Sequence, residues 1–145
     1  MSNFDVDTLT KFAIISIEEF AQNHPNETFY GFAIDGNLLC LNSEEKFQQT
    51  LESYQLKWNG YTTQEQILNL KNNTGDWEYQ GFSELKNGFD MDSYLEHYHS
   101  DDEDQETSEY TIAINSIIKN LKKSNAFDKL NKTPDFYVIK VEHNY

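Results

Sequence analysis

The residues of this sequence that could take part in chemistry are one cysteine, two neighbouring histidines and a carboxylate among aromatic residues. Cys40 lies in the apolar run 38–41 (Leu-Leu-Cys-Leu), where loss of water raises the pKa of a thiol and makes the thiolate scarce. We therefore predict that Cys40 is a structural core residue rather than a nucleophile. As the only cysteine it cannot form an intramolecular disulfide, which is typical of a reducing compartment.

His97 and His99 are separated by one residue and precede Asp101 and Asp102, a spacing that must be considered as a metal site. On a strand the two imidazoles would share a face, whereas on a helix they would lie about 200° apart. The flanking residues indicate a helix end, and the acidic run that follows lacks the glycine-containing pattern of a calcium loop. We predict no metal ligand and no cofactor.

Asp76 is followed by Trp77 and Glu78, a carboxylate in an aromatic setting of the kind that sugar chemistry uses. Because Asp76 directly follows Gly75, formation of a turn is the favoured interpretation. A hydrolase that uses Asp76 with His97 or His99 is the weakest of the functional alternatives. No catalytic residue is predicted.

The charge of the chain narrows the range of partners. Its 145 residues contain 25 acids, 11 basic residues that are all lysine, and a formal net charge of −14. Nucleic-acid binding normally needs a basic surface, so neither nucleic acid nor an anionic membrane is an expected partner. A basic partner protein complements this charge. The chain contains no run of about 20 apolar residues and its first residues do not resemble a signal peptide, so we expect a cytoplasmic protein.

The pattern of apolar residues predicts a single α+β domain over residues 1–145 with a mainly antiparallel sheet. A hairpin at about 28–41, around Asp35-Gly36, and strands near 77–82 and 136–142 form the sheet. About four helices pack with it, and they are predicted at 8–23, 43–54, 91–98 and 108–123. Residues 64–72 fit a short helix or a strand equally well.

Residues 100–108 contain no apolar side chain and are predicted to form a solvated acidic loop. The acids that could face a partner are Asp101, Asp102, Glu103, Asp104 and Glu106. Among the aromatic residues, Phe29, Phe32 and Trp77 are predicted in the core. Tyr30 and Tyr79 fit either the core or a partner-binding face, since tyrosine is favoured at interfaces.

Three stretches together resemble a family of small acidic bacterial proteins of formerly unknown function. They are residues 28–36 (Thr-Phe-Tyr-Gly-Phe-Ala-Ile-Asp-Gly), 39–45 (Leu-Cys-Leu-Asn-Ser-Glu-Glu) and 75–82 (Gly-Asp-Trp-Glu-Tyr-Gln-Gly-Phe), after an amphipathic N-terminal helix. Members of that family are often encoded beside polymorphic or contact-dependent toxins and are regarded as candidate immunity proteins. The resemblance implies a non-enzymatic inhibitor that binds a cognate toxin domain, such as a basic nuclease.

Two other readings stay open beside the immunity protein: an adaptor or structural module without a toxin partner, and the hydrolase. The resemblance brings no active residues with it, because its motifs are structural. The sequence leaves open which toxin chemistry is neutralised, whether the active site or a neighbouring surface is blocked, and the oligomeric state. It also does not decide whether residues 100–108 recognise a partner or only increase solubility.

Overall fold

The centre of the molecule is a four-stranded mixed sheet. The computed structural model describes residues 3–141. The strands, in the spatial order β3-β2-β1-β4, are β1 (Phe29–Asp35), β2 (Leu38–Ser43), β3 (Tyr79–Glu84) and β4 (Lys132–Val141). β2 pairs antiparallel with both β1 and β3, whereas β4 runs parallel to β1. The predicted α+β class is confirmed, with antiparallel pairing in two of the three strand pairs.

The β1–β2 hairpin forms because its turn has suitable residues and its strands are apolar. Asp35 pairs with Leu38 across a two-residue turn, in which Gly36 has a φ of 63°. Glycine adopts this left-handed conformation without steric cost. Every residue of β1 is buried, so both faces of the sheet are covered by other elements. The predicted hairpin is therefore confirmed.

Helices cover the two faces of the sheet separately. The α-helices are α1 (Val6–Asn23), α2 (Glu44–Trp58), α3 (Gln64–Lys71), α4 (Met91–Tyr98), α5 (Asp102–Glu106) and α6 (Glu109–Lys123). α1 and α6 cover one face, where Phe32 and Ile34 join the larger core cluster. α2 and α3 contribute to the smaller cluster on the other face, which contains Tyr30 and Trp77. Within residues 3–141 no helix has both the length and the apolar character needed to cross a membrane.

Several predicted elements change in extent or type. Residues 64–72, for which helix and strand were equal alternatives, form α3, which begins with a capping box between Thr63 and Gln66. The strand expected at 77–82 runs from 79 to 84, after a short 3-10 turn (Thr74–Asp76). The last strand runs from 132 to 141, and residue 142 of the predicted strand lies outside the described residues. The described residues form six α-helices rather than about four, because α3 and α5 are added.

Candidate partner-binding surface

The acidic segment is not a loop throughout, which corrects the prediction for residues 100–108. It contains the short helix α5, and Asp101 caps that helix by accepting a hydrogen bond from the backbone N–H of Asp104 at 3.0 Å. The five acids proposed as partner contacts are all exposed: Asp101, Asp102, Glu103, Asp104 and Glu106. The segment therefore presents its charges to solvent from an ordered backbone.

A closed network of hydrogen bonds holds α5 between α4 and α6. The Thr111 hydroxyl donates to the carbonyl of Gln105, so the Ser108 hydroxyl donates to Thr111 Oγ1 at 3.1 Å. Because Ser108 has a single hydroxyl hydrogen, His97 Nδ1 must be the donor in its 2.6 Å bond to Ser108 Oγ. The Gln105 side-chain amide then donates to the carbonyl of His97 at 3.1 Å and closes the ring. Each side chain of this network thus helps to fix the acidic segment.

α4 is held against the β1–β2 turn by aromatic residues. His97 is only 3% exposed, and its ring centroid lies 4.7 Å from that of Tyr110. Tyr110 is fully buried and donates its hydroxyl hydrogen bond to the carbonyl of Gly36 at 2.7 Å. Tyr94 packs against both Tyr110 and Gly36, so α4 has a fixed position above the turn.

Residues 90–109 concentrate negative charge without any lysine. They contain nine of the 25 acids of the chain: Asp90, Asp92, Glu96, Asp101, Asp102, Glu103, Asp104, Glu106 and Glu109. Within the part of the chain that the structure describes, the ion pairs lie elsewhere, as in the 2.7 Å pair of Lys71 and Glu44, and none involves these nine carboxylates. The charge of this surface is therefore uncompensated.

The carboxylate of Asp90 has a lowered pKa because several donors surround it. Its carboxylate caps α4 by accepting a hydrogen bond from the backbone N–H of Ser93, and it also accepts from the N–H of Asn3 and the Ser93 hydroxyl. These donors stabilise the ionised form and lower the pKa of Asp90. Asp90 is thus ionised at neutral pH and has a structural role as the cap.

Tyr30 lies in the core rather than on the partner-binding surface, which corrects its placement there. It is 2% exposed. Its hydroxyl donates to the carbonyl of Lys71 at 2.8 Å and accepts from the side-chain amide of Asn42 at 2.8 Å. Burial raises the pKa of Tyr30 well above its ordinary value. Trp77 donates to the same Lys71 carbonyl and is 4% exposed, as predicted for a core residue.

The structure does not bring Tyr79 together with the acidic segment. Tyr79 pairs with Leu41, at the end of β2 away from the turn that α4 covers. Tyr79 is half-buried against Phe20 of α1 and against His24, the C-cap of that helix. The Tyr79 hydroxyl donates to the Glu27 carboxylate at 2.7 Å. Burial and this hydrogen bond raise the pKa of Tyr79.

The prediction for Cys40 is confirmed. Its side chain is fully buried in β2, and burial raises the pKa of the thiol to about 11. At neutral pH the thiolate is therefore scarce, and the sulfur has no access to solvent. Cys40 contributes to the smaller core cluster with Ala33 and Leu51.

The residues considered for a hydrolase are held apart by their separate contacts. Asp76 ends the 3-10 turn, where its carboxylate accepts from the Tyr54 hydroxyl at 2.6 Å and from the Asn73 amide at 2.8 Å. His97 is buried against α6, and His99 is exposed beyond the end of α4. Within residues 3–141 no three histidine, cysteine or acidic side chains are grouped so that they could hold a metal ion.

An open groove of about 640 Å³ lies between α1 and β3 and is lined in part by Phe12, Leu38 and Phe82. Its charged lining residues, Glu84 and Lys86, lie 3.6 Å apart and form an exposed ion pair. The two charges of this groove therefore pair with each other at its surface.

Sequence reasoning missed an exposed apolar stripe on α4 beside the acidic segment. It consists of Met91, Leu95 and Tyr98, of which Met91 is 44% exposed, Leu95 is 45% exposed and Tyr98 is half-buried. The spacing of four and three residues puts these side chains on one face of a helix. This spacing is the sequence feature that could have indicated the stripe. In an eight-residue helix, however, the same spacing also fits a face that packs against the core.

One comparison with known proteins identifies the family. Residues 9–145 match the family model DUF4303, a domain of unknown function. The match spans 137 residues, from 9 through 145, and thus nearly the whole chain. No curated protein and no solved structure matches the chain.

Proposed function

The chain belongs to the DUF4303 family, and we propose that it is an immunity protein that binds and neutralises a cognate bacterial toxin domain. It acts by protein–protein contact, without catalysis, in the cytoplasm of the cell that it protects. The toxin domain is basic, as a nuclease domain is. The observation that carries the proposal is the uncompensated negative charge of residues 90–109.

This charge suits the task of an inhibitor. A toxin must be captured before it acts, and complementary charge raises association rates by about 10- to 1,000-fold over those of neutral surfaces. The five exposed acids of residues 101–106 project from a backbone that the His97–Ser108–Thr111–Gln105 network fixes. A fixed arrangement of charges reduces the entropy that is lost on binding. The likeness of residues 28–36, 39–45 and 75–82 to candidate immunity proteins supports the same function.

The proposal predicts a toxin gene directly upstream of the gene for this chain, and the test is co-expression of the two. We expect cells that carry both to survive, cells that carry the toxin alone to die, and the two proteins to purify together. The binding rate of the purified pair is then measured at low and high salt. We expect association to slow steeply as salt is added, because salt screens exposed charges.

A matched pair of charge variants shows whether the acidic segment is responsible. The first variant replaces Asp102, Glu103, Asp104 and Glu106 by the corresponding amides and keeps the cap Asp101. The control replaces four exposed acids elsewhere by glutamine: Glu19, Glu52, Glu65 and Glu78. Both variants change the net charge from −14 to −10, because each loses four negative charges. Association should slow about tenfold or more in the first variant only.

Equal association rates of both variants with the toxin would remove the acidic segment from the interface. Survival without this chain, or failure of the unaltered pair to purify together, would contradict the proposed function itself. Binding of a non-toxic protein in place of the toxin would favour the adaptor.

A further inference from the structure

We propose that the apolar stripe of α4, formed by Met91, Leu95 and Tyr98, is the centre of the toxin-contacting surface. Its occupant is a toxin surface with an apolar centre ringed by lysine and arginine. This inference rests on the proposed function and adds to it the residues that hold the complex together. The acids around the stripe would then guide the partner to it.

The geometry of α4 separates its two flanks. At 100° per residue, the three stripe residues fall within a sector of roughly 60°, and His97 lies about 130° from the centre of that sector. His97 packs against Tyr110 and bonds to Ser108 of α6, so it marks the inner side of the helix. Met91 and Leu95 are 44% and 45% exposed. The stripe therefore lies along the side of α4, next to an inner face that is fixed.

Acidic residues border the stripe along its side and at its end. Asp92 and Glu96, four residues apart on α4, lie on the flank beside Leu95, and both are exposed. α5 lies at the C-terminal end of the stripe, because the Gln105 amide donates to the carbonyl of His97 at 3.1 Å. An apolar centre with a charged rim is the usual arrangement of a protein interface.

The negative charge of residues 90–109 also indicates whether the stripe binds a second copy of this chain or a different protein. Two copies that met through this stripe would bring the nine acids of residues 90–109 against nine more, with no lysine in either segment. Like charges across an interface are strongly unfavourable. A basic partner gains from the same acids, so a basic toxin surface is the occupant that the charges favour.

The packing beneath α4 fixes the helix that carries the stripe, which favours binding without a conformational change. Tyr94 is packed between Tyr110 and Phe89, with ring centroids at 4.8 Å and 5.9 Å, and its hydroxyl end lies over Gly36. The helix is thus held in place before a partner arrives, and little backbone freedom remains to be lost on binding. Of the three stripe residues, Tyr98 is of a type enriched in binding hot spots. Substitutions within an interface act mainly on the dissociation rate.

The experiment compares two double variants for binding to the cognate toxin domain that the co-expression test identifies. The stripe variant is Met91→Gln with Leu95→Gln. The control is Leu56→Gln with Leu68→Gln, which alters two exposed leucines on α2 and α3. All four positions are exposed. Urea unfolding is measured first, and we expect midpoints close to that of the unaltered chain for both variants. We expect dissociation about tenfold faster for the stripe variant, an association rate close to that of the unaltered chain, and no change for the control.

The outcomes separate this inference from the proposed function. If the stripe variant dissociates like the unaltered chain while the acidic-segment variant associates slowly, the inference is overturned and the proposed function stands. If the unaltered chain does not bind the toxin domain at all, both are overturned. Sedimentation of the chain alone provides a further test, since a dimer that the stripe variant abolishes would assign the stripe to a second copy and overturn the inference.

Discussion

His97 Nδ1 lies 2.6 Å from Ser108 Oγ, and this bond joins α4 to the first turn of α6 across the acidic segment. Ser108 is at the same time the N-cap of α6, where its hydroxyl oxygen accepts from the backbone N–H of Thr111 at 3.1 Å. The Ser108 hydroxyl therefore lies at the end of the acidic segment, where it caps α6 and also bonds to His97 of α4. The position of the charged surface depends on this small group of buried polar contacts.

The first prediction is an energetic coupling between His97 and Ser108. We expect His97→Phe and Ser108→Ala each to destabilise the protein by about 1–3 kcal/mol, because each removes the bond between the buried His97 ring and the part-buried Ser108 hydroxyl. In the double variant the loss should be smaller than the sum by about 1 kcal/mol, since the bond can be lost only once. Urea unfolding of the four proteins measures the free energies.

A second pair of substitutions provides the control for this cycle. Ser108→Ala combined with Tyr30→Phe joins two sites that share no hydrogen-bond partner, so their effects should add within about 0.5 kcal/mol. Coupling of the same size in both cycles would show that the His97–Ser108 value does not arise from the hydrogen bond.

The features that the sequence predicted correctly are those with local signals. The helices predicted at 91–98 and 108–123 start next to Asp90 and Ser108, two residues of a type that caps helices, and the hairpin has Asp35-Gly36 between two apolar runs. Such signals act over three or four residues and do not depend on the rest of the chain. The exposure of the acids at 101–106 is a local feature of the same kind, since it follows from their charge alone.

The features that the sequence did not predict depend on distant contacts. α5 forms in a run without apolar residues because Gln105 and Thr111 fix it from within the network. β4 pairs parallel with β1, about 100 residues earlier in the chain. The apolar pattern of a strand does not indicate which other strand it will pair with. Tyr30 is buried because Asn42 and the Lys71 carbonyl satisfy its hydroxyl group, which no pattern around residue 30 reveals.

The second prediction compares two glycines that share a left-handed backbone. Gly36 has a φ of 63° and Gly81 a φ of 74°, so alanine at either position costs about 1 kcal/mol through the backbone. A Cβ at Gly36 would also lie 2.8 Å from the Tyr94 hydroxyl, whereas at Gly81 the nearest atom is 3.5 Å away. We expect Gly36→Ala to be more destabilising by about 1–2 kcal/mol in urea unfolding.

Adding Tyr94→Phe tests whether the Tyr94 contact is the reason. Removal of the hydroxyl oxygen relieves the closest contact, so part of the excess cost of Gly36→Ala should be recovered in the double variant. No recovery, or equal costs at Gly36 and Gly81, would mean that α4 is not held against the turn as described.

The third prediction concerns the pKa of Asp90. Hydrogen bonds from Ser93 and Asn3 lower this pKa below its ordinary value of 3.8. Because the folded-state pKa is the lower one, the stabilisation is present above the unfolded-state pKa and is lost as the pH falls through the folded-state pKa. In an NMR titration of the side-chain carboxyl carbon, Asp90 should therefore remain ionised below pH 3.8.

Two variants check the cause of this shift. Ser93→Ala removes one of the donors, so the pKa of Asp90 should rise toward 3.8. Asp90→Asn keeps a good capping residue without a titrating group, so its stability relative to the unaltered protein should improve as the pH is lowered. A titration midpoint of Asp90 at or above 3.8 in the unaltered protein would contradict the capping role.

The fourth prediction separates the core role of Tyr30 from a role in binding. Tyr30→Phe removes a hydroxyl group that donates to the Lys71 carbonyl and accepts from Asn42. The Lys71 carbonyl keeps its bond from Trp77 Nε1, but the buried Asn42 amide loses its partner, so we expect a loss of about 1–2 kcal/mol. In Tyr137→Phe the lost bond, to Asn72, is exposed and the loss should stay below about 0.5 kcal/mol. Folded Tyr30→Phe should bind the toxin with the same affinity as the unaltered chain. Weaker binding at unchanged stability would show that Tyr30 contributes to the interface.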